Sequence, residues 1–557
     1  MPLHQRIHIH LGDGPSVKRR ERNMRISLVL LAVVLVAGFV TVSLRVCLYG
    51  LSPQVAQSIL AVSVPVHNAR SRPDILDRNG QILATDIRVF WLHADPQHVV
   101  NADETAEKLL RLFPDLDAPA LHAKLRAKSR FEWVKRGLTP RQAELVYALG
   151  LPGLHLIPEN QRVYPAGHAA AHVLGITNID NVGLSGVERY IDQRPPAQFL
   201  NVSPGHRPFI KLSIDLGVQH AFAEELAKAK REYNAQAAFG VVMDVRNGEV
   251  IASVSLPDFD PNQRDQAISA DRQNRVLTDT YELGSVFKAF TTALALDAGF
   301  VRREDRIDTG TPLNVGRFIL RDKHGERKMS VEEIFTRSSN TGTARLALMA
   351  GIPRQRAFLE ALGLLTPLAT EAGSSAPPAQ PRTWRPANAV TISYGHGIAV
   401  PPLSFAAAAA AMVNGGTLVR PTFMLSTARA GAGPRVISPE TSADMRDLLR
   451  LTVERGTGKR AAVSGVAVGG KTGTAQKVKR GRYSKDVVTT FFAAFPIAAP
   501  RYLVLVSFDE PRPTERTPRT EAAYNAAPAA GAAIARIAPM LGVTAFAQID
   551  EPEPTSY

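Results

Sequence analysis

The chain holds a single cysteine, Cys47, among 557 residues. One thiol excludes any disulfide within the chain and any metal site built on several thiolates. Such sparing use suits a compartment where stray thiols oxidise. Acidic residues are also in deficit: 51 Asp and Glu face 66 Lys and Arg, a formal charge of +15 with pI near 9.9. An excess of this size points to an anionic partner such as nucleic acid, a membrane surface or a polyanionic wall. No zinc-finger or RNA-binding signature accompanies the charge, which argues against nucleic acid. No internal repeat is found. With 45% hydrophobic and 21% charged residues the chain reads as globular, and its length predicts two or more domains.

What is present begins with one long uncharged run, Ile26 to Leu44, 19 residues bounded by Arg25 and Arg45. It is long enough to cross a bilayer as a helix. Arg6, Lys18, Arg19, Arg20, Arg22 and Arg25 precede it, against Asp13 and Glu21. The positive-inside bias then predicts a cytoplasmic tail over 1–25, an anchor over 26–44 and export of the rest. A cleaved signal peptide is the competing reading, but its apolar region is shorter and ends on a small-x-small site. His4, His8 and His10 are read as part of a solvated tail, not as a metal site.

Past the anchor the pattern is mixed, predicting an α+β fold with a sheet packed against helices. Asn79-Gly80 and Asn247-Gly248 predict hairpin turns. "NADETAEKLLRLF" and "TPRQAELVYALG" predict amphipathic helices, and "FIKLSIDLGVQHAFAEELAKAKREY" predicts a strand followed by a helix. The alanine-rich "PLSFAAAAAAMV" predicts a helix stopped at Asn414-Gly415-Gly416. Gly and Pro enrichment places a domain boundary near 195–210; residues 366–388 read as a loop and 546–557 as a disordered tail.

One stretch, "YELGSVFKAF", sets Ser285 and Lys288 three residues apart, just after Gly284. On a helix such positions share a face, so the amine approaches the hydroxyl. A serine needs a base to become a nucleophile, and burial together with a helix N-terminus favours a neutral lysine. Taken alone, the pair reads more readily as an ordinary helix-surface pair than as a catalytic one. Two further patterns accompany it: Ser338-Ser339-Asn340 at a helix start, and Lys471-Thr472-Gly473-Thr474 after a predicted strand. S-x-x-K, S-x-N and K-T-G, in this order, form the signature of penicillin-binding proteins and serine β-lactamases.

The resemblance extends further. "NRVLTDTYELGSVFK", "VIASVSLPDFDPN", "GTGKRAAVSGVAVGGKTGTAQK" and "TISYGHGIAVPPLSFAAAAAAMVNGG" resemble class B penicillin-binding proteins. "RPDILDRNGQILAT", "RVYPAGHAAAHVLG" and "GLSGVERYID" resemble their N-terminal pedestal, so the likeness spans most of residues 70–530. The YExGSxFK form and the compact length resemble the FtsI-type septal enzymes more than the elongation type. The chain departs from the family at Leu283, where proline is usual, and at Val286, where threonine is usual.

The resemblance implies an elongated pedestal over 45–205 and a serine β-lactamase-like transpeptidase domain over 206–545. It implies Ser285 as nucleophile, Lys288 as base, Ser338 as proton carrier and Asn340 as an amide facing the substrate or Lys288. Lys471 would keep Lys288 neutral and attract the substrate carboxylate, with Thr472 and Thr474 bonding that carboxylate. Gly473 would leave room for a peptide, and the N–H groups of Ser285 and Thr474 would form the oxyanion hole. The implied substrate is a peptidoglycan stem peptide ending in D-Ala-D-Ala, and β-lactams would acylate Ser285. No cofactor or metal is implied. The short chain before the pedestal leaves no room for a glycosyltransferase domain, so an FtsW-type membrane polymerase and other division proteins are expected partners. The alternatives are an elongation-type transpeptidase, a carboxypeptidase or β-lactamase using water, a β-lactam sensor, and an idle division scaffold. A sensor would carry a signalling domain and an idle scaffold would have lost a motif residue; neither feature is found.

Overall fold

The computed structural model describes residues 15–50, 71–193, 207–267, 269–316, 318–322, 326–425 and 433–543. The predicted boundary falls largely on 194–206 and so lies outside the described residues, as do His4, His8, His10 and the C-terminal tail. Two compact units are present, Met1–Ser71 and Arg72–Tyr557.

The first unit contains helix α1, Pro15–Gly50, which carries the whole uncharged run. Its apolar side chains point outward, with Phe39 77% exposed. In water such a surface is strongly unfavourable, whereas hydrocarbon accepts it; the length fits one membrane crossing.

The second unit is α+β, as the pattern predicts. Its N-terminal sheet contains β1 (Asp74–Leu76), β2 (Ile82–Ala94), β3 (Glu132–Leu138) and β4 (Leu154–Val163). The long β2 is central, pairing antiparallel with the other three. The β1–β2 turn forms where Asn79-Gly80 predicts it. Asp77 Oδ1 accepts from the Asn79 and Gln81 N–H groups, each at 2.8 Å, and Gly80 takes φ +91°. Helices α2 (Ala102–Leu112) and α3 (Ala118–Leu125) pack apolar stripes on this sheet, around Leu92, Leu109, Leu121 and Leu138. Asn101 caps α2, and a Thr139–Gln142 capping box opens α4 (Pro140–Ala148). Strand β5, Phe209–Lys211, follows the predicted boundary in sequence yet pairs in parallel with β1. Asn262 adds a second tie, accepting from Tyr164 N at 3.0 Å and donating to Tyr164 O at 2.9 Å.

The C-terminal sheet is antiparallel, in the order β8-β9-β10-β6-β7 once β6 (Ala237–Asp244), β7 (Val250–Leu256), β8 (Gly469–Lys479), β9 (Arg482–Phe495) and β10 (Tyr502–Asp509) are defined. Every residue of β6, β7 and β10 is buried, because helices cover both faces. Phe239, Val241 and Met243 face one core, while Ala238 and Val242 face the other, the alternation a strand imposes. The predicted alanine-rich helix, Pro402–Ala411, lies wholly inside one of these layers. Its small side chains let neighbours approach from every side. Strand β8 is the edge of the sheet, and the candidate site forms against it.

Candidate active site

The turn bearing Ser285 is fixed by glycine contacts. Tyr281 pairs with Val400, and Gly284 N–H donates to Gly395 O at 3.2 Å. Gly284 has φ +62°, and a Cβ there would lie 2.6 Å from Thr474 O and 3.1 Å from Thr474 N. Residues Gly284–Phe287 form a 3-10 turn that runs directly into helix α5, Lys288–Asp297. In a 3-10 turn positions i and i+3 eclipse, so Ser285 and Lys288 share a face as the spacing predicts. The close approach of Gly284 to Thr474 also brings together the two backbone segments expected to supply oxyanion donors.

Gly473 has a different reason from the one its sequence suggests. A Cβ there would lie 2.3 Å from Leu283 O and 2.9 Å from Val286 Cγ1. The missing side chain is filled by the nucleophile turn itself, packed on strand β8. Leu283 and Val286, the two departures from the family pattern, are fully buried in the core beneath that turn. They hold the turn by apolar contact.

Lys288 and Lys471 are both 0% exposed and meet at one hydroxyl. Lys288 Nζ donates to Ser338 O at 2.6 Å and contacts Ser338 Oγ at 3.1 Å. Lys471 Nζ donates to Ser338 Oγ at 3.0 Å and to Thr472 O at 3.2 Å. The expected Lys288–Ser285 hydrogen bond is not made in this structure; Lys288 reaches Ser338 instead. Burial pushes Lys288 well below the ordinary lysine range, and the neighbouring charge of Lys471 pushes the same way, while Asp322 opposes both. Burial lowers Lys471 to about 7. A neutral Lys288 keeps a lone pair, so its contact with Ser338 carries a proton in either direction.

Ser338 adopts φ +63°, a conformation non-glycine residues rarely take. It lies between helix α6, Val331–Thr336, and helix α7, Asn340–Ala350. Ser339 caps α7 through Gly342 N–H. Asn340 opens the helix, and its side-chain amide makes no hydrogen bond to Lys288 among the described residues. Thr472 Oγ1 lies 2.7 Å from Thr457 Oγ1, and Thr474 Oγ1 accepts from Ala522 N–H at 3.0 Å. Each threonine hydroxyl therefore already has a protein partner.

Several residues of the site escape sequence reasoning. Asp322, from a separate loop, accepts from Asn340 and Thr341 N–H groups at 2.8 and 3.2 Å. Glu282 accepts from Gly397 N–H at 3.0 Å and from the Tyr483 hydroxyl at 3.2 Å, and burial raises its carboxyl. His396 lies beside them, lowered by burial. The one available signal is an acid inside the "YELGSVFK" stretch; the other partners come from distant loops.

Residues 238–534 match the penicillin binding protein transpeptidase domain, and residues 68–194 match the penicillin-binding protein dimerisation domain. The chain is 37% identical over 488 residues to the probable peptidoglycan D,D-transpeptidase FtsI of Caulobacter vibrioides, covering 85% of this chain and 82% of that one. It is 34% identical to the probable peptidoglycan D,D-transpeptidase PenA of Neisseria meningitidis, over 88% of each chain. Among solved structures, penicillin binding protein 3 of Mycobacterium tuberculosis complexed with aztreonam superposes with a TM-score of 0.65. The identity there is 23%, with 86% of this chain and 97% of that one covered, a likeness of fold. By its two domain matches and its relatives, the chain belongs to the penicillin-binding protein transpeptidase family, as a class B member of FtsI type.

Proposed function

We propose that this protein is a membrane-anchored serine D,D-transpeptidase that crosslinks peptidoglycan at the division septum and is acylated by β-lactams. The observation that carries the reading is the pair of buried lysine amines meeting at Ser338 Oγ, beside the turn that presents Ser285. A neutral Lys288 takes the Ser285 proton, directly or through Ser338, as Oγ attacks the carbonyl of the penultimate D-alanine. The peptide C–N bond breaks, the terminal D-alanine leaves with a proton passed through Ser338, and an ester to Ser285 remains. An amine of a neighbouring stem then attacks that ester, and the serine regains its proton.

Thr474 and Ser285 N–H groups are assigned to the oxyanion. Lys471, Thr472 and Thr474 are assigned to the substrate carboxylate, with Asn340 facing the peptide backbone. Gly473 admits the nucleophile turn. The pedestal is assigned to 45–205 and the catalytic domain to 206–545. Helix α1 is assigned as the anchor, with the N-terminus in the cytoplasm and the catalytic domain in the periplasm, a reading supported by the basic residues that precede the apolar run. An FtsW-type polymerase and other division proteins complete the assembly.

Labelling with a fluorescent penicillin tests the chemistry. A long-lived adduct mapped to Ser285, absent in Ser285→Ala, is expected. Rapid release of hydrolysed drug would instead identify a β-lactamase, and full division by Ser285→Ala cells would identify a scaffold. A fluorescent fusion located along the side wall would overturn the septal assignment.

A further inference from the structure

We propose that Asp322 is a positioning residue of this site: its carboxylate fixes the Ser338 turn between the two lysines and places a negative charge near Lys288. The inference rests on the transpeptidase reading and deepens it.

The geometry is specific. Ser338 is in the left-handed region, which a serine does not hold unaided. On its N-terminal side, Ser338 N–H donates to Phe335 O at 3.2 Å and Ser339 N–H to Ile334 O at 2.9 Å. On its C-terminal side three anchors converge on Asp322, alongside the bonds that Gly342 N–H and the Thr343 hydroxyl donate to Ser339. The Ser339 hydroxyl donates to Asp322 Oδ2, while Asn340 and Thr341 N–H groups donate to Asp322 Oδ1. One side chain therefore grips three consecutive residues directly after Ser338, and Ser338 Oγ is the atom on which both lysines meet. A turn free to relax would swing that hydroxyl away from them.

The charge matters as well. Helix α7 directs its positive N-terminus at this point, close to two buried amines. The groups facing Lys288 are Lys471 from β8, His396 from the turn at 395–397, and Asp322. Of these Asp322 alone is negative, and it counters the fall in Lys288 basicity caused by burial and Lys471. Asp322 thus opposes the loss of Lys288 basicity that burial and Lys471 cause.

The test is the pH profile of acylation of the full-length, detergent-solubilised protein by fluorescent penicillin. Asp322→Asn and Asp322→Ser, both able to cap a helix, are compared with Asp322→Glu, which keeps the charge. Removing the negative charge lowers Lys288, so the acid limb is expected to move to lower pH by about half a unit in both neutral variants. The plateau rate is expected to fall by about tenfold, because neither side chain reproduces the whole grip. Asp322→Glu is expected to keep the limb in place. A limb that stays put or moves upward in the folded neutral variants overturns the proposal. Failure of both neutral variants to fold also overturns it, since Asp322 would then hold the domain and not tune the site. Absence of labelling in the unaltered protein is a separate result, and it defeats the transpeptidase reading itself.

Discussion

Two clusters of buried cations lie in the same unit and meet the cost of burial in opposite ways. In the N-terminal sheet, Arg72 donates to Glu188 Oε2 at 2.8 Å and to Asp192 Oδ1 at 2.7 Å. Arg162 donates to Glu188 Oε1 at 2.7 Å and to Asp86 Oδ1 at 3.2 Å. Burial alone would lower Arg162, but Glu188 and Asp86 outweigh it and hold the guanidinium above its ordinary range. At the active site, Lys288 and Lys471 share a serine, with no carboxylate in direct contact among the described residues. Their basicity falls instead. Guanidinium cannot shed its proton, so a buried arginine requires counterions; a buried lysine can become neutral. The first arrangement keeps its cations charged, and the second lets its amines give up their protons.

Breaking each cluster should therefore have different consequences. Lys288→Met, similar in volume and uncharged, is expected to slow acylation by roughly 10²–10⁴-fold without lowering stability, read by labelling kinetics and thermal melting. Glu188→Ala is expected to do the reverse. Removing the carboxylate that two buried guanidiniums share, leaving Arg72 only the carboxylate of Asp192 and Arg162 only that of Asp86, costs about 3–5 kcal/mol in denaturant unfolding, while the folded fraction labels at the normal rate.

Lys471→Met sharpens the contrast through pH. Lys471 is depressed from 10.5 to about 7 in the folded protein, so between those values the unfolded chain binds more protons. Its burial cost is absent above the unfolded value, grows as pH falls toward 7, and is complete below. Relative to the unaltered protein, Lys471→Met should gain more stability at pH 7 than at pH 10, measured by denaturant unfolding. The same variant removes a neighbouring charge from Lys288, so the acid limb of any residual acylation should move upward. The smallest effect belongs to a pair that is not buried. Lys108 and Glu104 stand one turn apart on α2 at 2.7 Å, both in contact with solvent. Lys108→Ala should change stability by about 0.5 kcal/mol or less. A larger loss would show that pairing, not burial, sets the scale.

Much of this was legible locally. Asn79-Gly80, Asn101 and Thr139 act through neighbours two or three residues away, so their turns and caps follow from the chain itself. The i, i+3 relation of Ser285 and Lys288 is likewise local, and it survives as a 3-10 turn in place of the first turn of an α-helix. Gly473 could not be interpreted this way, because the atoms that exclude a side chain belong to Leu283 and Val286. Glu282 gained its role only when Tyr483 and Gly397 arrived beside it. Strand β5 joined the sheet of the preceding region by pairing with β1, Asp74 opposite Phe209, a long-range contact that no local pattern signals.

The sequence by itself determined an apolar segment fit for a membrane, an α+β pattern and three motifs whose residue types match those of serine acyl-transfer sites. These follow from side-chain chemistry and from periodicities that span a few residues. Only the tertiary structure decided that Lys288 meets Lys471 through Ser338, that both amines are buried enough to lose basicity, and that Asp322 holds the turn between them. A pKa depends on which dielectric and which charges surround a group, and folding brings those together from segments that no local pattern links.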